Sequence, residues 1–154
     1  MRLVNQFKVF LFVAVGLSSL SGYASESGTV TFSEGTVKLF SHSSSDPAQM
    51  KGPAPHAKFE GKYYSVTPLQ IGDRIATGNI VRTSPGSKAR IVYDNGDQIS
   101  VGPATSLRLK SQSGSRLSLD YGKVRAVVSK NGPRKRLRVR TRSATMGVRG
   151  TDFY

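Results

Sequence analysis

Cysteine and tryptophan are both absent from this 154-residue chain, and acidic residues are scarce, 9 against 23 lysines and arginines. Without cysteine there is no disulfide framework, thiolate metal site, thiol nucleophile or lipid-modified N-terminal cysteine. A membrane-spanning hydrophobic run is also missing. The one extended apolar stretch, residues 9–20, falls short of the roughly 20 residues that cross a bilayer as a helix. Helical periodicity is missing too: from Gly28 onward no long stretch repeats apolar positions every three or four residues. What remains, 37% hydrophobic and 21% charged, suits one folded, water-soluble domain with a formal charge of +14. Such an excess of cations points to an anionic environment or partner, and says nothing of fold.

The first 24 residues have the pattern of a secretory leader. Arg2 and Lys8 supply a positive start, Val9 to Leu20 a short apolar core, and Gly22-Tyr23-Ala24 small residues at the two selective cleavage positions. Cleavage after Ala24 is expected, with an uncleaved membrane anchor as the alternative. Removing the leader takes only two cations with it, so the basicity belongs to the exported body. With no lipobox cysteine, that body is expected to be periplasmic or secreted.

Short runs of alternating apolar and polar residues dominate the rest: Thr29 to Phe32, Thr36 to Phe40, Ala89 to Tyr93, Leu107 to Leu109, Leu117 to Leu119 and Leu137 to Arg140. Alternation places one set of side chains on each face of a strand. Glycines at 78, 86, 96, 114, 122 and 132 punctuate the runs at the spacing of a sandwich, barrel or solenoid of short strands. The expected fold is all-β. Asn95-Gly96 predicts a type I′ hairpin turn, with Asn131-Gly132 as a second turn. Residues 41–57, rich in Ser, Pro and Ala, predict an exposed loop. The expected organisation is a leader at 1–24, an N-terminal strand pair at 25–40, that loop at 41–57 and a β domain at 58–154.

From Gln70 to Phe153 the motifs follow a recognisable order. Ile71-Gly72-Asp73-Arg74-Ile75-Ala76-Thr77-Gly78 comes first, then Ser87 to Ile99 with Asp94-Asn95-Gly96-Asp97 at its turn. Gly102-Pro103-Ala104-Thr105-Ser106-Leu107 and Leu117-Ser118-Leu119-Asp120-Tyr121-Gly122 follow, and Gly147-Val148-Arg149-Gly150-Thr151-Asp152-Phe153 closes the set. This order resembles the FecR domain family, and Glu34-Gly35-Thr36-Val37 is similar to its opening element. The resemblance implies an extracytoplasmic β-solenoid-like or sandwich-like domain that works through protein contacts rather than catalysis. It implies structural roles for Gly72, Asp73, Thr77, Gly78, Asp94, Gly96, Gly122, Gly150 and Thr151. The best known members are the periplasmic halves of transmembrane anti-sigma regulators; here a leader stands in place of the sigma-binding part. The pattern usually runs on beyond Phe153, so a C-terminal truncation is expected.

The densest charge lies between Lys123 and Arg149, where Arg136, Arg138, Arg140 and Arg142 alternate with Leu137, Val139 and Thr141. On a strand these four guanidinium groups share a face at intervals of about 6.7 Å and could meet several phosphates of an anionic envelope polymer. The same alternation also describes an ordinary solvated strand face over a Leu137 and Val139 core. No catalysis, metal or cofactor is expected: His42 and His56, the two histidines, lie in the Ser/Pro-rich stretch without a ligand-spaced partner. Asp73, Asp94, Asp97 and Asp120 lack the spacing of a calcium loop and read as turn residues. Nucleic acid is disfavoured, because Tyr63, Tyr64, Tyr93 and Tyr121 are not interleaved with the arginines. The expected function is a non-enzymatic, envelope-sensing or protein-interaction module with an envelope protein as partner. The alternative is a binder of anionic envelope polymer.

Overall fold

The computed structural model describes residues 27–111, 115–129, 137–148 and 152–153. The leader, the Asn131-Gly132 turn, Arg136 and Gly150-Thr151 lie outside the described residues. In chain order the strands are β1 (Ser27–Glu34), β2 (Val37–Ser44), β3 (His56–Phe59), β4 (Lys62–Pro68), β5 (Arg74–Ala76), β6 (Ile80–Thr83) and β7 (Lys88–Tyr93). They continue as β8 (Gln98–Val101), β9 (Thr105–Ser111), β10 (Ser115–Tyr121), β11 (Val124–Val127), β12 (Leu137–Arg140), β13 (Thr145–Val148) and β14 (Asp152–Phe153). One turn of 3-10 helix, Pro47–Gln49, is the helical element among the described residues, with Asp46 accepting from the Ala48 N–H at 2.9 Å. The fold is all-β, as the alternating runs require.

Two sheets form, one ordered β14-β11-β8-β7-β1-β5 and the other β13-β12-β10-β9-β6-β2-β4-β3. The alternation in each strand decides which side chains lie between them. Val30, Ile75, Ala89, Ile91, Ile99, Val101 and Ala126 come from the six-stranded sheet, and Leu39, Val81, Leu107, Leu109, Leu117, Leu137 and Val139 from the eight-stranded one, in one buried cluster. Fully burying each of the larger of these contributes about 1.5–3 kcal/mol. Leu137 and Val139 are thus core, as the pattern Leu-Arg-Val-Arg predicts, and Arg138 and Arg140 point outward. A second apolar cluster of Phe40, Tyr64, Val66 and Ile80, flanked by Ala57 and Phe59, sits on the outer face of the eight-stranded sheet.

The chain winds between the sheets after nearly every hairpin, so the architecture is a sandwich wound in a solenoid-like manner. Several crossings meet at one end and bond to one another. Ser84 N–H donates to Thr36 at 3.0 Å, Thr36 N–H to the Ser87 hydroxyl at 2.9 Å, and Ala104 N–H to Ser84 at 3.2 Å. The Thr83 hydroxyl donates to the Gly102 carbonyl at 2.6 Å and accepts from the Thr105 N–H at 2.9 Å. Gly102 N–H donates to the Lys123 carbonyl at 2.8 Å, and Lys123 N–H to the Thr105 hydroxyl at 3.0 Å. Buried backbone polar groups need such partners, and the small hydroxyl residues supply them without widening the sandwich.

Two local expectations are refined. Asp94-Asn95-Gly96 forms a three-residue loop, with Gly96 N–H donating to Tyr93 at 2.9 Å and Tyr93 N–H to Asp97 at 2.8 Å. Only Gly96 has positive φ, 86°, so the turn is a type I turn closed by a left-handed glycine rather than type I′. The two-residue I′ pattern instead occurs at Glu60 and Gly61, both at positive φ between the partners Phe59 and Lys62. The Ser/Pro-rich stretch is tied down at both ends: β2 runs on to Ser44, and Ser65 and Val66 of β4 donate to the Pro53 and Pro55 carbonyls.

Gly122 is the tightest point of the crossover end. Its φ is 101°, and an added Cβ would lie 2.5 Å from the Thr105 Cα, whereas a Cβ on Gly61, at φ 76°, meets nothing within 4 Å. Gly61→Ala should therefore cost about 1 kcal/mol from backbone strain alone. Gly122→Ala should cost about 3 kcal/mol, strain plus overpacking against immovable backbone. Urea midpoints of the two variants check the difference; equal losses would mean that the Thr105 contact is not confining.

A basic sheet face as candidate functional site

The motif residues do not converge on one pocket; they build separate corners. Gly72, at φ 94°, donates its N–H to the Val30 carbonyl at 2.8 Å, and the Asp73 carboxylate accepts from Gln70 N–H at 2.8 Å while its carbonyl accepts from Val30 at 3.0 Å. Thr77 and Gly78 form the turn between β5 and β6, with Gly78 N–H bonded to Leu109 at 2.7 Å. Asp97, 2% exposed, accepts from the Ser129 N–H at 2.9 Å and so ties the hairpin to the segment after β11. Gly122 belongs to the crossover end. Asp120 accepts from the Ser106 hydroxyl at 3.1 Å.

Asp94 makes an exposed polar cluster with Arg74 and Ser27. Both its oxygens accept from the Arg74 guanidinium at 3.1 Å, and the Ser27 hydroxyl donates to it at 2.6 Å. The Ser27 hydrogen bond, then that from Arg74, holds the Asp94 carboxyl below the usual carboxylate range. The cluster fastens the start of β1 to β5 and the end of β7.

Of the four alternating arginines, the structure places Arg138 and Arg140 together on the exposed face of β12. Arg142 sits in the bend between β12 and β13, where Thr141 N–H bonds to Ala144 at 2.8 Å, and so leaves the strand row. The basic surface spreads across strands instead. Arg138 and Arg140 are in register with Arg116 and Ser118 of β10, Ser118 with Arg108 of β9, and Arg108 with Ile80 of β6. Adjacent strands lie about 4.8 Å apart, so exposed Lys110, Arg138 and Arg140 share one outer face with half-buried Arg108 and Arg82 and exposed Lys38.

Sequence reading missed Arg82 and Arg108. Their guanidinium groups lie 4.0 and 5.7 Å from the Phe59 ring centre, and Arg82 also covers Phe40 at 4.7 Å. Glu60 bonds Arg108 at 2.5 Å. Apolar stems on aromatic faces explain how two arginines tolerate partial burial. The available signal was the outward register of Arg108 in the alternating run Leu107 to Leu109; Ile80-Val81-Arg82-Thr83 does not alternate, and what joins the two arginines is cross-strand pairing, which neither run displays. The Arg82 end of the face is thus engaged in packing, and the Lys110, Arg138 and Arg140 end is open to solvent.

The histidines lie beside one loop: His42 Nδ1 is 2.9 Å from the Ser41 hydroxyl, and His56 Nε2 is 3.5 Å from the Gly52 carbonyl. Among the described residues no group of His, Asp or Glu side chains is arranged to hold a metal ion, and no helix is long and apolar enough to cross a membrane.

In comparison with known proteins, the family model described as FecR protein matches residues 79–154. No curated protein and no solved structure matches the chain.

The Asp94 cluster carries a pH prediction. Because its folded-state pKa is lowered, its contribution is full above the unfolded carboxyl value and is lost as pH falls through that value toward the folded one. Asp94→Asn should be less stable than the parent at neutral pH and should lose less on acidification from about pH 5 to pH 2. Thermal midpoints across that range check it; parallel pH profiles would show that Arg74 and Ser27 leave the carboxylate unperturbed.

Proposed function

We propose that this protein is a non-enzymatic, envelope-sensing module acting through protein contacts, because residues 79–154 match the family model described as FecR protein and that family is one of sensing and signalling proteins rather than catalysts. The FecR match is the observation that carries the reading. The leader pattern at residues 1–24 supports export to the periplasm or beyond. The solvent-open end of the outer sheet face, Lys110 with Arg138 and Arg140, is the contact surface this reading favours. Three exposed cations on one face suit an acidic surface on a partner, and their charge also raises the encounter rate.

A second reading rests on the same cations. Repeated phosphates of an anionic envelope polymer would meet Arg138 and Arg140 one strand repeat apart, about 6.7 Å. The two readings differ in salt response: a polymer held mainly by charge is released steeply as salt rises, while a protein contact with an apolar centre is not.

The test is capture from envelope extract with the parent and with a Lys110→Gln, Arg138→Gln, Arg140→Gln triple variant. All three positions are exposed, so the variant should keep the parent's unfolding free energy in urea within about 1 kcal/mol. A discrete protein retained at physiological salt by the parent and lost by the variant is the expected result. Polymer retained at low salt and shed at physiological salt would favour the second reading. Equal capture by parent and variant would remove this face from either.

A further inference from the structure

A cavity of about 490 Å³ opens beside the crossover end of the sandwich, outside the basic face of the eight-stranded sheet. Its volume lies in the range of small-molecule sites. Val139, 1% exposed, and half-buried Leu119 line its interior, and Phe32 and Met146, 41% and 36% exposed, present large apolar side chains to it from nearer the solvent. Among the described residues, Phe32 and Met146 are two of the large apolar side chains left exposed. Exposed Lys88, Arg90, Lys123 and Arg125 also belong to the lining, which among the described residues contains no acidic side chain.

We propose that this cavity binds a single anionic amphiphile, with its alkyl chain against Leu119, Val139, Met146 and Phe32 and its carboxylate or phosphate head among Lys88, Arg90, Lys123 and Arg125. An apolar pocket alone would accept any greasy molecule. Four exposed cations around it select a negative head, since each charge-assisted bond to an anion is stronger than a neutral one. A polar, multiply anionic ligand without a chain would leave the apolar wall wet, so the wall and the cations together define an amphiphile. The nearby Glu34, in register with Lys88, is exposed and lies outside the lining, and it leaves a net positive mouth. The chain's burial supplies the affinity, at about 0.8 kcal/mol per methylene removed from water. The site is distinct from the surface proposed above, and either can fail without the other.

Calorimetric titration of the full chain with monomeric dodecanoate, dodecyl maltoside and acetate tests this. Dodecanoate should saturate at one per chain, dodecyl maltoside should bind at least about tenfold more weakly, and acetate should not bind measurably. Arg90→Gln with Lys123→Gln should weaken dodecanoate by about tenfold or more and leave dodecyl maltoside unchanged. Met146→Asp should abolish both; should that variant lose its strand signal by circular dichroism, Phe32→Ser at an exposed position should weaken both. Absence of saturable dodecanoate binding would overturn the proposal. Equal affinity for the two heads, or no loss in the charge variant, would overturn its anionic half. Affinity unchanged by Met146→Asp or Phe32→Ser would place the chain elsewhere, for example on apolar residues 9–20.

Discussion

The mutual bonding of the sheet-to-sheet crossings is the constraint on which the rest of this structure depends. A sandwich whose chain changes sheets so often carries many turns of backbone away from any ladder, and each buried amide there needs a partner. At 102, 105 and 123 the partners are supplied by the Lys123 carbonyl and by the Thr83 and Thr105 hydroxyls. The Thr105 hydroxyl accepts from Lys123 while Gly122 passes its Cα without a Cβ. With these crossings held, β9 and β10 of one sheet and β8 and β11 of the other are placed relative to each other. The core between them then follows from alternation.

That arrangement also explains why polar function is confined to the outer faces and ends. Inner positions are taken by Val, Ile and Leu at near-zero exposure, and a charged group there would be strongly unfavourable without a partner. The cations are therefore displaced outward, where cross-strand register gathers them. On the eight-stranded sheet they meet aromatic residues at one end and open solvent at the other. Beside the crossover end they meet an apolar cavity. The same excess of positive charge thus produces two chemically different surfaces, one suited to a broad acidic contact and one to a small amphiphile.

The Glu60 hairpin shows how local strain is tolerated when packing holds it. A non-glycine residue at φ 49° is disfavoured by about 1–2 kcal/mol, yet its position brings the carboxylate to Arg108 on a neighbouring part of the sheet. Arg108 in turn flanks the Phe59 ring. The turn, the ion pair and the aromatic contact therefore adjoin one another at the edge of the outer apolar cluster, through Phe59.

Alternation and glycine spacing alone determined the fold class, the strand runs and the assignment of Leu137 and Val139 to the core beneath Arg138 and Arg140, because strand periodicity is a property of adjacent residues. The motif order was likewise legible as a family pattern, and the family model matches its part from residue 79 onward. Turn type was not: whether Asn95-Gly96 closes a two- or three-residue loop depends on where β7 and β8 pair, and that register is a property of two strands. Nor could a linear reading show that Arg142 leaves the arginine row, that Arg82 and Arg108 stack on Phe59, or that Phe32, Leu119 and Met146 line one cavity. Those residues lie far apart in sequence, and pairing and sheet packing alone bring them together.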